Sequence, residues 1–488
     1  IGVWITQLNT SNILNTLPFL NNRITQNQID LVAWSNWEKG IIYAADFNLK
    51  INEHTNDYSD REFNKSGFEQ EVVPNQPDLE MVGQIRRHYD NWAFDITEIN
   101  HNYGLSNEKK GTVKGSLTLG KNNFFSFSAT GKKIPIKLIS FLEKKRFDKL
   151  FTESEFKTIG GVFELVNFTW ASEKAKKDRF VLSLEASEFQ LELLDKPITA
   201  TGSGFFLEVN SNGGSLRFDE KRFTLTNKSF FETPLFIKRL DGHLLWKRLP
   251  EKKLVIISEN LSGIANGTNF KFQGIMTDVL SKDREMNLRI FFDTPKATDL
   301  KQLMPINILP GGGDYWLKNS LLAGEVKNGE FIFNGSMDDF PFNLGSRKYK
   351  INMDLSNAVF KLAENWPEVT SASGQLQVMN NSLNFKLTEG NLEDLDLDTV
   401  NVKIDRLNSA KRALKLEGEL FGSGNDITKV IQNSPLIDTE VAILKYFKVD
   451  DPLQVKFDFD LDLFGHFNKE FKAAVSLDNN NLALRQTP

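Results

Sequence analysis

Five histidines, His54, His88, His101, His243 and His466, are the side chains best suited to move protons or bind a metal near neutral pH. None lies close enough to another to form a helical zinc motif. The chain has no cysteine, which excludes thiol nucleophiles, thiolate metal sites and disulfides. The histidines read as separate surface or turn residues. The clusters Gly202-Ser203-Gly204 and Gly311-Gly312-Gly313 lack the Lys-Ser or Lys-Thr that follows a phosphate cradle, complete no dinucleotide fingerprint, and read as turns. Asp394, Asp396 and Asp398, and again Asp458, Asp460 and Asp462, alternate with apolar residues, so each trio shares one face of a strand and could collect a hard cation. A calcium site needs a loop that wraps oxygen ligands round the ion, so a solvated outer face accounts for the trios better. No Gly-x-Ser-x-Gly elbow occurs, and nothing in the sequence points to paired catalytic acids. The expectation is a protein that is not an enzyme and needs neither cofactor nor metal.

The elements around these residues are strands. Val455, Phe457, Phe459, Leu461 and Leu463 alternate with Lys456, Asp458, Asp460 and Asp462, a period of two with one greasy and one wet face. The same alternation carries Phe125 and Phe127, Phe189 and Leu191, Phe331 and Phe333, and Leu383 and Phe385. Antiparallel strands solvated on one face have this pattern. Asn212-Gly213-Gly214, Asn266-Gly267, Asn328-Gly329, Asn334-Gly335 and Gly422-Ser423-Gly424 supply turn signals between runs, which predicts a meander. A loose repeat of glycine, short strand, turn and Phe-containing strand recurs without a fixed period. Helical spacing is confined to about 136–151, 297–304, 314–323 and 426–447, and these segments read as plugs or lids. The polar stretch 52–75 reads as a mobile loop.

Composition narrows the function classes further. A net charge of -5 with lysines scattered among acids argues against a nucleic-acid or anionic-membrane surface. The first twenty residues lack the basic start and apolar core of a signal peptide, and clean apolar runs such as 254–257 are far too short to span a bilayer, so a soluble portion of a longer protein is expected. The 40 phenylalanines set against few covering helices point to an open or half-closed apolar groove. An enzyme or adhesin acting on polysaccharide would need clustered acids or tryptophans on one wet face, and the tryptophans are dispersed.

From about residue 305 the sequence resembles the YhdP branch of the AsmA-like proteins. The residues carrying the likeness are Pro310, the run Tyr315-Trp316-Leu317-Lys318-Asn319-Ser320-Leu321-Leu322-Ala323-Gly324, Val326-Lys327-Asn328-Gly329 and the strand Phe331 to Gly335. Asp338-Asp339-Phe340-Pro341-Phe342, Lys350 to Phe360, Trp366-Pro367, Gly374-Gln375-Leu376 and Ser434-Pro435-Leu436 follow in family order. The family's glycine and phenylalanine after the Phe-Pro-Phe element are represented by Gly345 and Tyr349. The first 300 residues resemble it mainly by pattern. The resemblance implies a mainly β fold, an elongated, twisted antiparallel sheet curled lengthwise like a taco shell into a hydrophobic groove, with a few short helices. It also implies a periplasmic lipid-transfer module, shielding phospholipid acyl chains between inner and outer membranes and anchored to the inner membrane in the full-length protein. Candidate groove residues are Phe125, Phe127, Phe189, Leu191, Phe331, Phe333, Leu383, Phe385, Val455, Phe457, Phe459 and Leu461. The expected organisation is an N-terminal groove part (1–135), a helical insertion (136–160), a middle groove part (161–310) and the most family-like segment (311–488). A scaffold for outer-membrane protein assembly, in the manner of TamB-like relatives, is the alternative. The partners implied are phospholipid and the two membranes, with envelope proteins also possible and nucleic acid excluded.

Overall fold

A computed structural model of the chain describes residues 2–8, 28–52, 79–101, 110–119, 125–136, 156–173, 176–193, 197–229, 231–249, 253–278, 284–303, 319–336, 347–361, 366–407, 413–438, 442–443, 446–449, 452–462, 470–476 and 482–484. They are almost wholly strand, and the chain divides into two compact units, Ile1–Leu225 with Leu245–Lys247, and Thr226–Leu244 with Arg248–Pro488. Among the described residues no helix is long and apolar enough to cross a membrane.

The first unit holds β1 (Gly2–Leu8), β2 (Gln28–Glu38), β3 (Ile41–Asn52), β4 (Leu79–His88), β5 (Asn91–His101) and β6 (Gly111–Leu119). It continues with β7 (Phe125–Pro135), β8 (Phe156–Glu173), β9 (Lys176–Leu193), β10 (Ile198–Gly202), β11 (Phe205–Asn210) and β12 (Gly213–Asn227). From β1 to β9 each strand pairs antiparallel with the next. β10 and β11 together oppose β9, Gly202 facing Phe189 and Phe205 facing Ala186. The register against β9 runs on unbroken across Gly202-Ser203-Gly204, so this segment interrupts one long strand and is not a turn between two. Gly204 has φ +115°, and a Cβ there would overlap the Ala186 carbonyl oxygen, so only glycine fits.

The second unit runs β13 (Leu235–Arg248), β14 (Leu254–Ala265), β15 (Thr268–Thr277), β16 (Glu285–Thr294), β17 (Leu321–Gly335), β18 (Lys348–Lys361) and β19 (Glu368–Met379). β20 (Ser382–Leu392), β21 (Leu395–Ile404), β22 (Ala413–Ser423), β23 (Phe447–Val449), β24 (Pro452–Asp462), β25 (Glu470–Ser476) and β26 (Leu482–Leu484) complete it. From β14 to β22 neighbours in sequence are antiparallel neighbours in the sheet, then β22 pairs with β24 and β24 with β25. β23 and β26 form a small ladder of their own. The β14–β15 turn has positive φ at Asn266 (44°) and Gly267 (89°), as a two-residue hairpin of matching twist requires.

Several sequence expectations change. Asn328-Gly329 is not a turn: Asn328 (φ 49°) is the extra residue of a bulge inside β17, held by Asp293 Oδ1 and Asp354 Oδ2. A left-handed asparagine suits a bulge as well as a hairpin, and sequence cannot separate the two. Asn357, Ser371 and Thr399 repeat this in β18, β19 and β21, each at a register shift, so neighbouring strands of the second unit bend. Of the helix expected over 314–323, Asn319 and Ser320 are helical and Leu321 already opens β17; the rest lies outside the described residues. Leu321 and Val326 are buried by the strand, and their spacing serves the sheet core. Helix α1 (Leu300–Leu303), entered through a 3-10 turn at Ala297–Asp299, stands where apolar spacing put one. The 426–447 pattern gives helix α2 (Gly424–Gln432) and a 3-10 turn at Pro435–Asp438, since Asn433, Ser434 and Pro435 end the helix. The loop at 52–75 and most of the 136–151 segment lie outside the described residues, and Phe156 begins β8.

The main core belongs to the second unit. Alternate residues of β18 to β22, among them Met353, Leu376, Phe385, Leu387, Val400 and Leu416, are buried on one face, while the residues between them are mostly exposed or half-buried. The first unit has a smaller core round Ile136, Phe163, Leu184, Ala186 and Phe189.

Candidate functional site

The second unit contains an apolar cavity of about 100 Å³ between its sheet and α2. All 18 residues that line it are apolar, and they come from β18 to β22, β24 and the helical segment after β22, with Trp366 from the β18–β19 connection. β20 and β21 contribute Leu387, Leu392, Leu395, Leu397 and Val400, β24 contributes Val455, Phe457 and Phe459, and Ile427, Val430, Ile431 and Leu436 form the roof. Sequence explains the roof. Ser423 caps α2 by accepting the Asp426 amide (3.2 Å) while its hydroxyl donates to Asp426 Oδ2 (2.6 Å). Val430 and Ile431 turn inward, and Lys429 turns outward to Asp394 (2.8 Å) and Asp426 (2.9 Å). These two carboxylates raise the Lys429 pKa above its ordinary value. A water occupies roughly 30 Å³ in the liquid, so the cavity holds about three methylene-sized groups, and its wall offers almost no polar partner.

The expected groove residues fall into distinct settings. Val455, Phe457 and Phe459 line the cavity, the two rings stacked at 5.1 Å; Leu461 follows them on β24, its backbone opposite Leu414. Leu383 and Phe385 are packed core, as are Phe333 beside Tyr349 and Ile351, and Phe189 beside Phe205 (5.1 Å), with Leu191 and Phe331 at the margins. Phe125 and Phe127 are half-buried in the first unit, Phe125 edge-on to Trp170 (4.8 Å) and Phe127 stacked on Phe94 (5.6 Å). There the apolar rows run in register, as in Phe94, Gly115, Ala129, Phe168 and Leu182. Sequence reading does not single out Leu395 and Leu397, which alternate with Asp394, Asp396 and Asp398, although the alternation that exposes the acids is what turns the leucines inward.

A recurring device shapes this apolar face. Phe47, Phe94, Phe189, Phe270 and Phe292 stand directly opposite Gly83, Gly115, Gly202, Gly263 and Gly329 on the adjacent strands. In each pair the ring lies where a Cβ on the glycine would be, as with Phe189 Cε1 at 2.7 Å and Phe270 Cε1 at 3.0 Å. Glycine lets the ring lie against the partner backbone, and the ring covers backbone that glycine would leave bare.

The opposite face is polar and paired across strands. Glu330 accepts from Arg289 Nε (2.7 Å) and faces Lys350 (3.5 Å); burial pushes its pKa up, and the two cations overcome this to leave it low. Asp405 is lowered by Lys403 and Lys415, and Glu419 by Lys456 and Gln454. Among the described residues no three histidine or acidic side chains gather to hold a metal ion. Asp394 pairs with Lys429 and Asp396 with Asn391 Nδ2. Neither titratable groups nor polar atoms converge on the cavity.

Each unit is an antiparallel β-meander with an apolar face, and in the second unit a capped amphipathic helix roofs part of that face. The chain belongs to the YhdP protein family, whose model matches residues 4–488 and so extends the likeness well before residue 305. Over 212 residues it is 24% identical to the intermembrane phospholipid transporter YhdP of Escherichia coli (strain K12), an alignment covering 43% of this chain and 16% of that protein. No solved structure matches.

Proposed function

We propose that this chain is a periplasmic segment of a phospholipid transporter, and that its apolar face shields acyl chains on the way between inner and outer membranes. The observation that carries this reading is the in-register apolar face within each unit, joined to membership of a family that includes a phospholipid transporter. Removing a methylene from water is worth about 0.8 kcal/mol, so a fifteen-methylene tail gains about 12 kcal/mol on a continuous apolar surface. Handing the tail from row to row keeps that gain nearly constant, so movement needs no chemical step. Phe125 and Phe127 contact tails directly, as do Phe457 and Phe459, and the cavity under α2 receives the terminal methylenes. Leu383, Phe385, Phe189 and Phe333 hold the shape of the surface, with Leu191 and Phe331 at its boundary and Val455 in the cavity wall. The full-length protein is anchored in the inner membrane.

The test is photocrosslinking of phospholipid carrying a diazirine at the acyl terminus to the purified protein. Adducts at Phe125, Phe127, Phe457 or Phe459 support the reading, and labelling confined to the wet face overturns it.

A further inference from the structure

The apolar face of the first unit is open along one edge and closed along the other. At the tips of the β2–β3 and β4–β5 hairpins and the end of β6, Trp37 is 49% exposed, Tyr43 51%, Tyr89 96% and Leu119 50%. At the opposite ends of β4 and β5, Leu79 and Ile99 are 1% exposed, and Ile136 after β7 and Phe163 within β8 are likewise buried. Exposed aromatics gathered in one place mark a surface that meets a partner.

The open edge also carries positive charge of a particular kind. Arg87 lies opposite Trp92 in the β4–β5 ladder, its guanidinium 5.5 Å from the centre of the indole. Its Nε donates to the Tyr89 carbonyl oxygen (2.9 Å), while its two Nη nitrogens have no partner among the described residues. Trp37 is fixed by its indole N–H donating to Ser35 Oγ (2.7 Å). Two residues further along β5 from Trp92, a step of about 6.6 Å, Phe94 stacks on Phe127 and the fully apolar rows begin. Aromatic rings with a polar tip settle at a boundary between oil and water, and a forked guanidinium matches the oxygens of a phosphodiester.

We propose that this edge is a phospholipid headgroup rim: Arg87 binds the phosphodiester while Trp37, Tyr43, Tyr89 and Trp92 flank the glycerol region and the tails enter toward Phe94 and Phe127. The inference rests on the phospholipid reading above and adds to it a side: headgroups travel along one edge only.

Two photoactivatable phosphatidylethanolamines test it on the full chain, one with the diazirine on the headgroup and one with it at the acyl terminus. The headgroup probe labels peptides containing Trp37, Tyr43 and Tyr89, and the acyl probe labels those containing Phe94 and Phe127. Arg87→Gln lowers headgroup labelling about fivefold, the loss of one charge-assisted contact at a partly exposed site, with smaller loss of acyl labelling. Millimolar inorganic phosphate leaves the headgroup adducts in place. Acyl labelling with headgroup adducts spread equally over both edges, or unchanged in Arg87→Gln, overturns the rim and leaves the phospholipid reading standing. Headgroup adducts abolished by inorganic phosphate overturn it in favour of a soluble-phosphate site. Failure of both probes to label the apolar face overturns the phospholipid reading itself.

Discussion

Filling the cavity under α2 separates a tail-binding space from a packing defect. Val369, Val400 and Val430 all line it and are nearly fully buried, at 4%, 6% and 6% exposure. Changing the three to isoleucine adds three methylenes of roughly 30 Å³ each, about 90 Å³ for a cavity of about 100 Å³. Branching at Cβ is kept, so β19 and β21 lose no strand preference and α2 gains no new χ1 conflict. At about 0.8 kcal/mol for each methylene taken from water, the triple variant is expected to be more stable by about 2 kcal/mol, the three sites coupling because they share one space. Denaturant titration reads this as a higher midpoint for the second unit with an unchanged slope. Acyl-terminal labelling of Phe457 and Phe459 is expected to fall severalfold in the same variant, because the space is gone. A loss of 1–3 kcal/mol would mean that the walls are already close-packed. A gain in stability with undiminished labelling would refute the assignment of the cavity to tails.

Other expectations follow from single contacts. Ser423→Ala removes the α2 cap, and helix undocking is expected to become easier by about 1 kcal/mol, seen as faster amide exchange at Val430 and Ile431. Gly204→Ala forces a side chain into the Ala186 carbonyl at φ +115° and is expected to cost more than about 3 kcal/mol, lowering the thermal midpoint of the first unit. The Glu330 carboxyl has a lowered folded pKa, so its contribution is present above the unfolded value near 4.3 and lost as pH falls through the folded one. Glu330→Gln is therefore expected to lower stability at neutral pH and flatten the acid limb, and an unchanged acid limb in urea titrations would contradict the Arg289 and Lys350 pairing.

Much of this was legible in the residues because a half-buried strand writes its geometry into a period of two. Leu383, Phe385 and Leu387 alternating with Asn384 and Lys386 are buried and exposed in that order. The amphipathic spacing after Gly422-Ser423-Gly424 likewise marked a helix, although its end at Asn433 came earlier than the apolar pattern alone predicts. Bulges were not legible: the left-handed conformation of Asn328 is the same in a turn and in a bulge, and only the strand on either side decides. The Phe and Gly pairs were equally hidden, because Phe94 and Gly115 are brought opposite each other by register and not by spacing along the chain. The cavity depends on residues from six strands, α2 and the 3-10 turn after it. Its leucines on β21 read as spacers between acids because sequence shows both faces of a strand at once.

The central claim is that the apolar face carries lipid. The most direct measurement is mass spectrometry of phospholipid bound to the protein as purified from bacterial envelope, compared with a Phe125→Asp/Phe127→Asp variant. Both residues are half-buried and lie outside the main core, so the variant is expected to fold, with near-native circular dichroism. The account predicts phospholipid on the parent protein and a loss of most of it from the variant. A folded variant that retains its full complement of phospholipid would contradict the account.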